Sequence, residues 1–216
     1  LLFSFWASWR VKSNFSTWSR VESAAGITGA QAAARILEAQ GIDNVEIERT
    51  EGSLSDHYSP RERVLRLSDD VYGSTSIAAI GVAAHEAGHA LQHAKGYTVM
   101  AFWQALAKPA AVGSNIAYWI IIAGMIMNVF NLALAGVVLF GVVVLFQFVT
   151  LPLEYNASAR AKRLVLETGI LERHESEGIH KVLNAAALTY VAAAAASLMT
   201  LLYFLIRLGL LGGRDD

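Results

Sequence analysis

The chain has 216 residues, of which 55% are hydrophobic and only 16% charged. Soluble globular proteins lie nearer about 45–50% apolar and about 25% charged, so the composition points to an integral membrane protein. A net charge of -1 without a dense basic run excludes a nucleic-acid surface, and the absence of cysteine excludes disulfides, thiolate zinc sites and cysteine nucleophiles.

The chain opens Leu1-Leu2-Phe3-Ser4-Phe5-Trp6, with nine apolar or small residues before Arg10. A spanning helix needs about twenty. Residues 1–9 are therefore read as the end of a truncated transmembrane helix, with an interfacial stub as the alternative. Residues 10–107 mix polar and apolar side chains and are expected to form a water-facing α+β part. Thr28-Gly29-Ala30-Gln31 reads as a capping box opening a helix to about Gln40, stopped by Gly41. Val45 and Ile47 alternate with Glu46 and Glu48, the period of a half-buried strand. Ser59-Pro60-Arg61-Glu62 marks a turn. Val64 to Ser68 then forms a second strand, paired with a short one near residues 53–58 and available to take substrate as an added strand.

Ser76 caps the next predicted helix, residues 77–95, which contains His85-Glu86-Ala87-Gly88-His89. Residues four apart share a helix face about one turn apart, so both imidazoles can reach one ion. Glu86 is placed to take a proton from water without being a ligand. Two histidines and an adjacent general base are the parts of a zinc hydrolase; two surface histidines and a chance glutamate are the bland alternative. Gly88 in mid-helix costs about 1 kcal/mol relative to alanine, which points to close packing there. His93 continues the four-residue repeat, but it stands about 12 Å along the axis from His85, too far to share an ion with bonds near about 2 Å. It is read as a surface or supporting histidine.

Two apolar stretches follow, Pro109 to Met127 and Val129 to Leu151, each long enough to cross a bilayer and joined by the uncharged Asn128 to Asn131. Together they make residues 108–151 a transmembrane hairpin. Its return delivers Glu154 to the side from which it left, with Pro152 expected to kink or restart the helix. Glu154 is thus either the third metal ligand or simply the first charge beyond a span. Residues 152–184 are expected to be cytoplasmic helices, and residues 185–211 a last transmembrane helix. Its small residues Ala192 to Ala196 permit close packing along one side. Arg10, Lys12, Arg20, Lys95, Lys108, Arg160, Lys162, Arg163 and Lys181 gather at one set of helix ends, and only Arg207 and Arg214 at the other. The positive-inside rule then puts the pentad on the cytoplasmic side.

Four separated segments carry a family resemblance: Ala84-His85-Glu86-Ala87-Gly88-His89-Ala90-Leu91-Gln92-His93; Asp56-His57-Tyr58 through Val64-Leu65-Arg66-Leu67-Ser68; Leu151-Pro152-Leu153-Glu154-Tyr155-Asn156-Ala157-Ser158; and Leu183-Asn184-Ala185-Ala186-Ala187-Leu188-Thr189-Tyr190. Together they resemble the YugP-like membrane zinc metallopeptidases of bacteria, and more distantly the HtpX and CAAX prenyl protease group. The resemblance implies a mainly α, multi-pass protein of the bacterial inner membrane, with a gluzincin-like helix, a small β-sheet and three to four transmembrane helices. It implies one Zn2+ per chain on His85, His89 and Glu154, and a membrane-associated protein or peptide substrate, which the charge asymmetry would place on the cytoplasmic side. The HtpX-type pattern has an aspartate four residues after the ligand glutamate; here Ser158 stands there, so support of the histidines must come from Asn156 or Ser158 itself. Tyr190 and then His57 are the candidates to stabilise the oxyanion. A latent zinc-containing scaffold and a site-2-type intramembrane protease are the competing readings. The latter fits poorly, because about eight apolar residues precede His85 and no later Leu-Asp-Gly triplet occurs.

Overall fold

The computed structural model describes residues 2–211; Leu1 and Arg214, used in the sequence reading, lie outside the described residues. The elements in chain order are α1 (Leu2–Trp18), α2 (Gly29–Ala39), β1 (Glu46–Thr50), β2 (His57–Ser59), β3 (Val64–Ser68), α3 (Asp69–Tyr72), α4 (Ile77–Ala94), α5 (Thr98–Ile126), α6 (Phe130–Glu167) and α7 (Ser176–Arg207). The protein is mainly helical with a three-stranded sheet, as the sequence predicts. It divides into two compact units. One comprises Thr98–Pro152 and the described residues from Tyr190 onward, with the start of the chain up to Ser4; the other comprises Phe5–Tyr97 and Leu153–Thr189.

In the second of these units, the predicted capping box forms in full. The Thr28 side chain accepts from the Gln31 backbone, and the Gln31 side chain accepts from the Thr28 backbone. α2 then buries Ala32, Ala33, Ile36 and Leu37 in a core shared with Ile77, Ile80, Ala84 and Leu91 of α4. Ser76 caps α4, its side chain accepting from the Ala79 backbone. β1 pairs with β3 in parallel, and β2 pairs with β3 antiparallel. The hairpin between β2 and β3 turns through Arg63, whose φ of 55° leaves the right-handed region. Leu65 and Leu67 are fully buried, whereas Arg66, on the opposite face of β3, pairs with Glu48 and Glu62.

Two expectations need correction. β3 lies between β1 and β2, so both of its edges are already paired and it cannot receive a substrate strand; the free edges belong to β1 and β2. Nor does Pro152 restart the helix: α6 is assigned continuously from Phe130 to Glu167. Proline forfeits one backbone hydrogen bond and crowds one carbonyl, about 3 kcal/mol, and the long apolar helix around it outweighs that cost.

The other unit holds α5, α6 as far as Pro152 and α7 from Tyr190. The helical segments Thr98–Ile126, Phe130–Glu167 and Arg173–Arg207 (the last including a 3-10 turn ahead of α7) are long and apolar enough to cross a membrane. The α5–α6 hairpin turns at Asn128, with φ 54°. Its helices touch through small residues: a Cβ at Gly136 would lie 2.7 Å from the Ile121 side chain and 2.8 Å from its backbone nitrogen. Phe204 of α7 is buried with Ile121 and Val137, and Ala192 and Ala194 are buried along the same helix.

Candidate metal centre

α4 presents His85 and His89 on one face, as their spacing predicts, and both ring edges turn to the same point. Their Nε2 atoms lie 3.2 Å apart. The Glu154 Oε2 from α6 completes the triangle, 3.0 Å from the His85 Nε2 and 3.5 Å from the His89 Nε2. Donors about 2.0–2.2 Å from a tetrahedral zinc stand about 3.3 Å from one another, which these three distances match. His85 and Glu154 are buried, with 9% and 7% of their surfaces exposed. This is the cluster of three metal-capable side chains among the described residues.

The approach of α6 to α4 depends on Gly88. A Cβ there would stand 2.8 Å from the Ala157 carbonyl oxygen, so only glycine lets the two backbones meet one turn beyond Glu154. Around the triangle, each outer imidazole nitrogen has a partner. Nδ1 of His85 lies 3.2 Å from the Ser158 hydroxyl, and Nδ1 of His89 lies 2.9 Å from Oε1 of Gln92. Burial alone would depress the His89 imidazolium. The hydrogen bond to Glu154, the charges of Glu86 and Glu154 and the Gln92 contact outweigh it, and lift its pKa to about 9. Three ligand atoms converging on one point, with both outer nitrogens engaged elsewhere, are arranged so that they could hold a cation at their centre. His85, His89 and Glu154 therefore fit a zinc ion by donor type and spacing alike.

Glu86 is buried beside the ligands, with 8% exposure, and acts on His89 through its charge. His93 is no part of the triangle: its Nδ1 is 2.9 Å from the Tyr58 hydroxyl, and burial holds its imidazolium below the ordinary range. His57 is exposed, with its Nδ1 2.8 Å from the Ser55 carbonyl. It neighbours Tyr58 on β2, so when Tyr58 faces α4 His57 points to the charged face of Arg66. The structure does not bring it to the ligands. Tyr190 lies on α7, in the unit of apolar helices, and is half-buried. Ser158 supports His85 as anticipated, whereas Asn156 reaches His89 only through Gln92. Gln92 itself was missed; its one sequence signal is a lone amide three residues after His89, on the buried side of an apolar helix.

A small α+β unit built round a His-Glu-x-x-His helix, a glutamate from a second helix and three membrane-length apolar helices are the parts of a membrane protein with a candidate metal site of the zinc-peptidase kind. The chain belongs to the family described as "Putative neutral zinc metallopeptidase", which matches residues 1–209. It is 46% identical over 213 residues to the "Putative membrane protease YugP" of Bacillus subtilis (strain 168), covering 99% of this chain and 94% of that relative. No solved structure matches the chain.

Proposed function

We propose that the protein is a membrane-embedded zinc endopeptidase that hydrolyses peptide bonds in cytoplasmic or juxtamembrane segments of protein substrates. The observation that carries this reading is the His85–His89–Glu154 triangle with Glu86 buried beside it. Zinc held there would supply a Lewis acid that polarises the scissile carbonyl and lowers the pKa of water towards about 7. His85, His89 and Glu154 hold and orient the ion. Glu86 accepts the proton of the attacking water and returns it to the leaving amine. Tyr190 is the proposed oxyanion donor, in preference to His57, whose side chain faces the charged side of the sheet. An extended substrate finds its free backbone edge on β2, whose Tyr58 already contacts α4.

The lysine and arginine distribution supports a site on the cytoplasmic face of a bacterial inner membrane, and clearance of damaged membrane proteins is a role compatible with it. An intramembrane protease of the site-2 type would need the pentad within a spanning helix, and α4 is not among the three membrane-length helices. A scaffold with a latent zinc would have no use for a buried general base.

Glu86→Gln tests the reading. About one zinc per chain should remain while peptide hydrolysis falls by roughly 10²–10⁴-fold, the contribution of a general base. Undiminished turnover in that variant excludes Glu86 as the base. Comparing membrane-associated peptides from cells with the intact and the Glu86→Gln protein would reveal the substrate class.

A further inference from the structure

One buried amide touches both sources of metal ligands. Gln92 has no exposed surface. Its Oε1 lies 2.9 Å from Nδ1 of His89, and its Nε2 donates to the Leu153 carbonyl at 2.8 Å and to Oδ1 of Asn156 at 3.0 Å. Leu153 directly precedes Glu154 on α6. The Arg160 Nε, which can only donate, in turn donates to the same Asn156 Oδ1 at 2.7 Å.

Donor and acceptor roles along this chain leave a single solution. The Leu153 carbonyl can only accept, so the Gln92 amide must turn its NH2 towards α6. The Asn156 oxygen, fixed by Arg160, demands the same orientation. Gln92 Oε1 therefore faces His89 and can only accept, which puts the His89 proton on Nδ1 and leaves the Nε2 lone pair for the ion.

We propose that Gln92 is a positioning residue of the metal centre: it sets the tautomer and rotation of His89 while tying that ring to the backbone beside Glu154, with Arg160 and Asn156 locking the amide's direction. An amide here does the work that a carboxylate partner does for many zinc-bound histidines. The inference rests on the metal-site reading above.

Two substitutions separate orientation of the ring from mere joining of the helices. Gln92→Met keeps the volume and loses every hydrogen bond. Gln92→Glu keeps an acceptor for His89 and loses the donor to Leu153. Zinc affinity, measured by chelator competition on the full chain in detergent, should fall roughly 10–100-fold in Gln92→Met. It should largely recover in Gln92→Glu. Equal losses in both variants would reduce Gln92 to a helix tie, and unchanged affinity in Gln92→Met would overturn the proposal altogether. If Gln92→Met does not fold, ring-nitrogen NMR on the zinc-loaded parent decides: the proton on His89 must sit at Nδ1, and finding it at Nε2 overturns the assignment. His89→Ala is the reference. Should it bind zinc like the parent, the metal site itself is wrong, an outcome distinct from a failure of Gln92 alone.

Discussion

His89 illustrates how one side chain couples metal binding to acidity. Its imidazolium is favoured up to a pKa of about 9, so at neutral pH an incoming ion must displace a proton from it. Zinc affinity should climb by about tenfold per pH unit below that value and level off above it. With the metal chelated, the sign reverses. The His89 pKa is raised above its ordinary 6.5, so the stability its charge contributes is complete below about 6.5 and fades as pH rises through about 9. Chelator-buffered titrations and thermal melts between pH 6 and pH 10 would read both trends; an affinity independent of pH counts against a protonated His89. Glu154 and His93 make a second contrast. Glu154→Ala should lose tight zinc and hydrolysis together. His93→Ala should keep the metal and cost about 1–3 kcal/mol, since it orphans the buried Tyr58 hydroxyl. Loss of zinc from His93→Ala would refute its exclusion from the ligand set.

At the scale of elements, the site is the crossing of α4 and α6, and Gly88 sets their distance. Gly88→Ala should press a methyl group into the Ala157 carbonyl, destabilise the protein by about 1–3 kcal/mol and weaken zinc binding, because the backbone rather than a pliable side chain must yield. Gly141→Ala, with nothing within 4 Å of the added Cβ, should leave zinc affinity unchanged. Retained zinc affinity and stability in Gly88→Ala would show that the crossing has slack. Much of this was legible in the chain, for local reasons. Helical spacing identified His85, Glu86 and His89, the capping box set the start of α2, and alternation found β1. What escaped depends on chain segments meeting in space. Spacing alone left Glu154 either ligand or boundary charge; the parallel pairing that makes β3 central joins strands with β2 between them in sequence. Gln92 has no motif because its meaning lies in what α6 presents to it. The four-residue α3 was too short to declare itself by period.

For the whole molecule, the expectation is a protein that resists alkaline extraction from membranes and requires detergent, as three membrane-length helices demand. Topology can be mapped cleanly because these 216 residues contain no cysteine. In intact cells Asn128→Cys should react with an impermeant maleimide, and Ser176→Cys only after the inner membrane is opened. Labelling of both from the same side would overturn the cytoplasmic placement. The separation of the ligands has a consequence for synthesis. His85 and Glu154 stand 69 residues apart, with the whole apolar hairpin between them. A ribosome moving at about 5–20 residues per second translates His85 about 3–14 s before Glu154. The nascent chain thus lacks one of the three candidate ligands until both arms of the hairpin have been made, and under the proposed function it could not cut its neighbours at the translocon before then.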